Sequence, residues 1–308
     1  MDDLFDGIRD YRASSGKERF LEIFPFLGLN TANYDLESSS ESIGLKELLE
    51  MYFSGFTKDE GGRRRQKLSD LSGTFKETDE KKSHSCAGIK VYPPLGFDPW
   101  PDADIPKKGR ESEDKKKRRK IEQDKVNYLY DFCVKRNIPI TAHCNDSGFM
   151  AANVPPGTYT APARWRPVLE KFGGLKLNLA HFGRQDRCSA KLKNRLSRRK
   201  AWQEDLVELM IKHDNVYADF SYIGTSETWY TDLRLLLDRY KNDAAKAAKL
   251  RSRILFGSDF MINLLATKSY KDYVGLFLRT DGLLKEEKID FCSRNPDEFL
   301  FGKKDGVQ

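Results

Sequence analysis

An α/β fold, a TIM-type (β/α) barrel of about six parallel strands, is what this sequence predicts, and two observations carry the prediction. Short runs that are apolar on both faces recur along the chain, as strands buried on both sides of a sheet do. Longer stretches with apolar residues at helical spacing separate them, which is the alternation of βαβ units. The 308 residues suit one such barrel, which takes roughly 250 as a single domain.

The elements follow in order. Residues 3–20 look helical and precede the first visible strand, at 22–29 in LEIFPFLGLN. Strands are expected at 87–92 (CAGIKVYPP), 138–143 (IPITAHCND), 175–181 (LKLNLAHFG), 216–220 (NVYADFS) and 254–258 (RILFGSDF). Helices are expected at 43–53, 125–136, 162–172, 202–213 and 231–240, the third opening on Pro162, a favoured place for proline. A closed barrel needs about eight strands, so two are missing from the front. The two edges left unpaired invite self-association or a covering element, for which the 3–20 helix is a candidate.

The chain reads as a single domain, 1–308, with polar insertions near 57–82 and 106–125. The first holds Arg63-Arg64-Arg65, the second the run from Lys115 to Lys120. Charged residues make up 33% of the chain, and because they cluster in such stretches the core is not diluted. A net charge of +7 permits attraction to anions. It does not argue for nucleic acid, because the basic runs are not interleaved with aromatic stacking platforms. Five scattered cysteines give neither a disulfide framework nor a paired metal motif, and a reducing cytoplasm is the compartment expected. The acidic start, Met1-Asp2-Asp3-Leu4-Phe5-Asp6, lacks the apolar region of a signal peptide. No run of about 18 apolar residues is present, so no membrane partner is expected.

In a parallel barrel the chemistry sits where strands end. His143, His181 and Asp259 end three of the expected strands, and Lys90 lies near the end of a fourth. The remaining histidines, His84 and His213, precede strands and belong to the opposite face. Imidazole and carboxylate together suit zinc, iron or manganese, and a divalent metal, zinc first, is the cofactor expected. Asp146, just beyond His143, could hold the second nitrogen of a histidine. Asp219 and Ser221 end a strand on the same rim, and Trp165, Trp229 and Tyr230 could wall a substrate pocket or simply pack. The basic stretch 191–200 follows the fourth long strand and could steer an anionic small-molecule substrate.

Four motifs in order resemble a known family: Gly88-Ile89-Lys90-Val91-Tyr92-Pro93-Pro94, Thr141-Ala142-His143-Cys144, Ala180-His181-Phe182-Gly183 and Phe256-Gly257-Ser258-Asp259. They look like the fourth, fifth, sixth and eighth strands of the amidohydrolase superfamily, in the branch that also contains metal-dependent decarboxylases. The segment from Tyr159 to Leu169 and the ending from Asn295 to Gly302 are similar to that family as well, so the resemblance runs from about Phe20 to Gly302. It implies His143 as a metal ligand, His181 as a ligand or carbonyl-polarising group, and Asp259 as ligand and general base. Lys90 matches a position where some members carry a carboxylated bridging lysine; here it could equally contact an anionic substrate.

One family feature is absent. Members open with His-x-His at the first strand, and nothing before Phe20 supplies a histidine. The chain could be a fragment, the reading preferred; it could draw strands from another subunit; or it could be a degenerate barrel. The function expected is metal-dependent hydrolysis at a carbonyl or carboxylate centre. The alternatives are a metal-dependent decarboxylase and a non-catalytic binding or structural protein.

Overall fold

A computed structural model of the chain describes residues 7–8, 10–11, 23–53, 57–58, 64–65, 86–101, 112–151, 157–185 and 201–302. Six strands form one sheet, in chain order: β1 (Phe26–Leu29), β2 (Gly88–Val91), β3 (Ile140–His143), β4 (Leu177–Ala180), β5 (Val216–Asp219) and β6 (Ile254–Leu255). Every neighbouring pair is parallel. Among the described residues no strand joins β1 to β6, so the barrel sheet is open, as the strand count predicts.

The strands are shorter than their apolar runs, for a reason visible at β6. Phe256 donates its backbone N–H to Phe291 O at 2.7 Å, and Tyr273 donates its hydroxyl to Gly257 O at 2.7 Å. The chain there leaves the ladder for other partners, and pairing stops at Leu255.

The helices that cover the sheet include α1 (Leu45–Phe53), α2 (Glu113–Arg136), α3 (Arg166–Lys171), α4 (Ala201–Lys212) and α5 (Glu227–Asp238). Beyond them come α6 (Ala244–Arg251), α7 (Tyr270–Arg279), α8 (Lys285–Ile289) and α9 (Asn295–Phe301). Side chains cap several of them: Ser226 accepts from Trp229 N, Asp243 from Lys246 N, and Ser269 from Asp272 N. Asn137 ends α2 in the left-handed region, φ 56°, a conformation asparagine tolerates.

The stretch expected as a polar insertion at 106–125, a solvated loop or exposed helix, is described from Ser112 onward. From Glu113 onward it is the first half of α2, and the lysine–arginine run is a solvated helix face. The helix turns inward at Gln123 and Lys125, both buried; Lys125 Nζ pairs with Glu122 at 2.7 Å. Of the 57–82 stretch, only the short antiparallel ladder of Thr57–Lys58 with Arg64–Arg65 is described. The basic stretch 191–200 and His84 lie outside the described residues, as does most of 3–20; within the latter, Ile8 is buried in the main core.

The outward face of the sheet supplies the main core. Leu29, Val91, Ala142, Leu179, Ala218 and Ile254 form one register row and are all buried. The inward face is plugged at its lower end by α9. Phe299 packs on Tyr217 with ring centroids 5.0 Å apart, in a cluster with Leu255, Phe26 and Leu300. Residues preceding the strands hold that helix in place. Lys176 Nζ donates to the Glu298 and Phe299 carbonyls at 3.3 and 3.4 Å, and Arg253 pairs with Glu298 at 2.9 Å. Among the described residues no helix is long and apolar enough to cross a membrane.

Candidate active site

The upper ends of β4, β5 and β6 share a backbone peculiarity. His181 (φ 64°), Phe182 (φ 50°), Tyr222 (φ 66°), Asp259 (φ 51°) and Met261 (φ 73°) are all left-handed without being glycine. Each such residue costs on the order of 1–3 kcal/mol and persists only where its surroundings over-determine it. The strain is therefore concentrated on the rim that the strand-end rule marks for chemistry.

On that rim β3 and β4 bring two histidines together. His181 Nε2 lies 3.0 Å from His143 Nδ1. The other nitrogen of each ring is held by a carbonyl: His143 Nε2 donates to Ser147 O at 2.9 Å, and His181 Nδ1 to Ser221 O at 3.0 Å. A carbonyl only accepts, so these contacts fix both tautomers. The two nitrogens that face one another are then both lone pairs. Burial, reinforced by the neighbouring His181, pushes the His143 imidazole down to about 3, so a proton is a poor occupant of the gap at neutral pH.

Asp219, at the end of β5, underpins the pair. Its Oδ2 accepts from Asn178 Nδ2 at 2.7 Å; its Oδ1 accepts from the backbone N–H groups of Ser221 at 3.0 Å and His181 at 3.2 Å, and from the Ser221 hydroxyl. Burial raises the carboxyl, but His181, the Ser221 and Asn178 hydrogen bonds and Lys90 outweigh it and hold Asp219 below the usual carboxylate range. Ser221 Oγ also lies 3.1 Å from His181 Nδ1, so the carboxylate, hydroxyl and imidazole form a continuous relay of contacts.

Lys90 projects from β2 toward the same interior. Burial lowers its pKa, partly offset by the carboxylates of Asp219 and Asp259. Asp259 is half-buried just beyond β6, and its backbone oxygen accepts from Ile262 and Asn263 at 3.0 and 3.1 Å. Tyr92, whose ring centre is 4.5 Å from that of His143, also feels the Asp259 charge.

Three of the expected site residues are placed as follows. Asp146 is buried, but the atom that holds His143 Nε2 is the Ser147 carbonyl. Trp165 is fully buried and packs against Phe97 and Tyr130, so it belongs to the core rather than to an open pocket wall. No three or more His, Cys, Asp or Glu side chains among the described residues gather in metal-binding geometry, so His143 and His181 meet without Asp259 joining them at one point. Trp229 does line a cavity, of about 350 Å³, with Phe182 and Asp232, while Tyr230 is buried and donates to Gly224 O. Asn178 and Thr141 escaped the sequence reading. The signal available was an asparagine between the leucines of LKLNLA and a threonine within IPITAH.

The histidine pair fits a metal ion in its donor chemistry. Zinc binds imidazole nitrogen at about 2.0–2.1 Å, so two such ligands of one ion stand roughly 3 Å or slightly more apart. Each ring already donates its second nitrogen to a carbonyl, the arrangement that orients histidine ligands.

A parallel barrel sheet with histidines and carboxylates on its C-terminal rim places the chain among the (β/α)-barrel proteins. The chain belongs to the amidohydrolase family, whose family model (Amidohydro_2) matches residues 69–302. Solved structures similar to it include a zinc-bound amidohydrolase from Burkholderia multivorans, at 16% identity and TM-score 0.42, covering 76% of this chain and 68% of that one. An amidohydrolase 2 from Bifidobacterium longum subsp. infantis has 13% identity and TM-score 0.37, with 70% of this chain and 62% of that one covered. A probable 2-pyrone-4,6-dicarboxylic acid hydrolase from Acinetobacter baumannii, with citric acid bound, has 13% identity and TM-score 0.43, over 90% and 98%. The chain thus spans under two thirds of the length of the Bifidobacterium protein. Comparison with curated proteins gives no match.

Proposed function

We propose that the chain is a metal-dependent hydrolase acting at a carbonyl or carboxylate centre of a small molecule, with His143 and His181 holding a divalent metal, zinc first. The observation that carries this reading is the pair of facing lone pairs, 3.0 Å apart, in tautomers fixed by Ser147 and Ser221. A divalent metal bound there supplies polarisation of a carbonyl and activation of water near neutral pH.

The chain's own residues would supply the rest. Asp259, half-buried on the same rim and within electrostatic reach of Lys90 and Tyr92, takes the proton from the attacking water as general base. Asp219 stays ionised and is a positioning residue: through Ser221 and the His181 backbone it keeps the imidazole turned toward His143. Lys90 and the basic surface favour an anionic substrate.

Metal analysis tests the reading. Protein stripped with chelator and reloaded with zinc is expected to hold about one ion per chain, and His143→Ala and His181→Ala are each expected to lose it. A folded double variant that keeps stoichiometric zinc would sink the proposal.

A further inference from the structure

Three polar side chains sit side by side on the inner face of the sheet, one step deeper than the histidine pair. Lys90, Thr141 and Asn178 are register partners on β2, β3 and β4. Each has hydrogen-bonding capacity left over. The Lys90 ammonium senses the Asp219 and Asp259 charges at longer range, with no ion pair or hydrogen bond to it among the described residues. Thr141 Oγ1 accepts from Asn178 Nδ2 at 3.4 Å, which leaves its own proton free to donate. Asn178 is buried, and its Oδ1 has no hydrogen-bond partner.

That last orphan cannot be relieved by turning the amide over. Asn178 Nδ2 is committed to Asp219 Oδ2 at 2.7 Å, and reversal would set two acceptors against each other. A buried acceptor left unmade costs on the order of 1–3 kcal/mol, so a site that keeps one has a use for it. There is also room at the Lys90 end of the row. Gly28, the register partner of Lys90 on its other side, is exposed, and a Cβ added to it would meet no atom within 4 Å.

The row therefore offers, in order, open space, a cationic donor, a hydroxyl donor and an acceptor. We propose that it seats a hydroxycarboxylate, the carboxylate resting on Lys90 and the Thr141 hydroxyl while the ligand's own hydroxyl donates to Asn178 Oδ1. A plain carboxylate would leave Asn178 unsatisfied, and a neutral hydroxyamide would leave the ammonium uncompensated. The inference rests on the proposed reading of the rim above and names the substrate class presented to it.

Titration calorimetry with lactate, propionate and lactamide on the chelator-treated full chain tests it. Lactate is expected to bind about tenfold more tightly than lactamide, the worth of one hydrogen bond to a charged group, and severalfold more tightly than propionate, which lacks one neutral hydrogen bond. Lys90→Met is expected to erase the preference for lactate over lactamide, and Thr141→Val, which removes one donor at nearly constant volume, to weaken lactate severalfold. Equal binding of the three compounds, no lactate binding by the folded wild type, or undiminished lactate binding in the folded variants overturns the inference. Should Lys90→Met fail to fold, Thr141→Val decides. Zinc uptake when the same preparations are reloaded with the metal separates the two readings. Zinc taken up without a lactate preference sinks this inference alone, and a lactate preference without zinc binding sinks only the metal reading.

Discussion

Asn178 Nδ2 lies 2.7 Å from Asp219 Oδ2, and this one contact locks β4 to β5 directly beneath the histidine pair. Four donors converge on the Asp219 carboxylate, so its removal leaves several buried groups unpaired at once. Asp219→Ala is expected to destabilise the fold by about 2–4 kcal/mol, read from the urea midpoint. Where the variant still folds, zinc affinity is expected to drop by about 10–100-fold, because His181 loses the group that orients it. An unchanged zinc affinity would mean that Asp219 is purely structural.

Acid should weaken the metal-free protein through His143. Its imidazole titrates near 6.5 when unfolded and is pushed down to about 3 in the fold. The unfolded chain therefore binds the extra proton first, and stability falls as pH drops. The contribution is complete above about pH 6.5 and is lost by up to about 1.4 kcal/mol per pH unit below it. Urea melts between pH 7 and 5 on chelator-treated protein should show this slope, shallower in His143→Gln. Identical slopes in both proteins would refute the assignment.

The plug beneath the sheet gives a purely structural test. Phe299 is buried against Tyr217 and Leu255 inside the open barrel. Phe299→Ala is expected to cost about 3–5 kcal/mol, the range for emptying a buried aromatic site. A loss below about 1 kcal/mol in a thermal or urea melt would show that α9 is not needed to fill the interior.

A partly buried ion pair ties the loop after β2 to the segment before α3. Arg164 contacts Asp98 through two nitrogens, at 2.9 and 2.7 Å, and donates to Trp100 O at 2.7 Å. Removing one partner strands a nearly buried charge, so Asp98→Ala is expected to cost about 3–5 kcal/mol. Arg164→Lys, which keeps the charge but not the fork, should fall between that variant and wild type in chemical denaturation. A lysine variant as stable as wild type would show that charge alone suffices.

Much of the architecture was legible because it depends on local pattern. Runs such as IPITAH and LKLNLAH are short, rich in strand-forming residues and separated by helical stretches, and that alternation marks a parallel sheet. The same strands, read to their last residue, delivered His143 and His181 to one rim. Helix α6, with the sequence AAKAAKLR, gave no expectation because alanine and lysine carry little amphipathic signal. The start of α2 was masked in the same way, since six basic residues in a row read equally as loop or as solvated helix.

What the sequence determined by itself was the parallel strand order and the side of the sheet on which each strand-end residue falls, because both follow from alternation and direction along the chain. What only the tertiary structure decided was which of those residues touch. Ser147 rather than Asp146 holds His143, no third His, Cys, Asp or Glu among the described residues joins the histidine pair in metal-binding geometry, and Asn178 faces Lys90 across Thr141. Register between strands and the turn of each loop fix such distances, and both are set by packing among residues far apart in sequence.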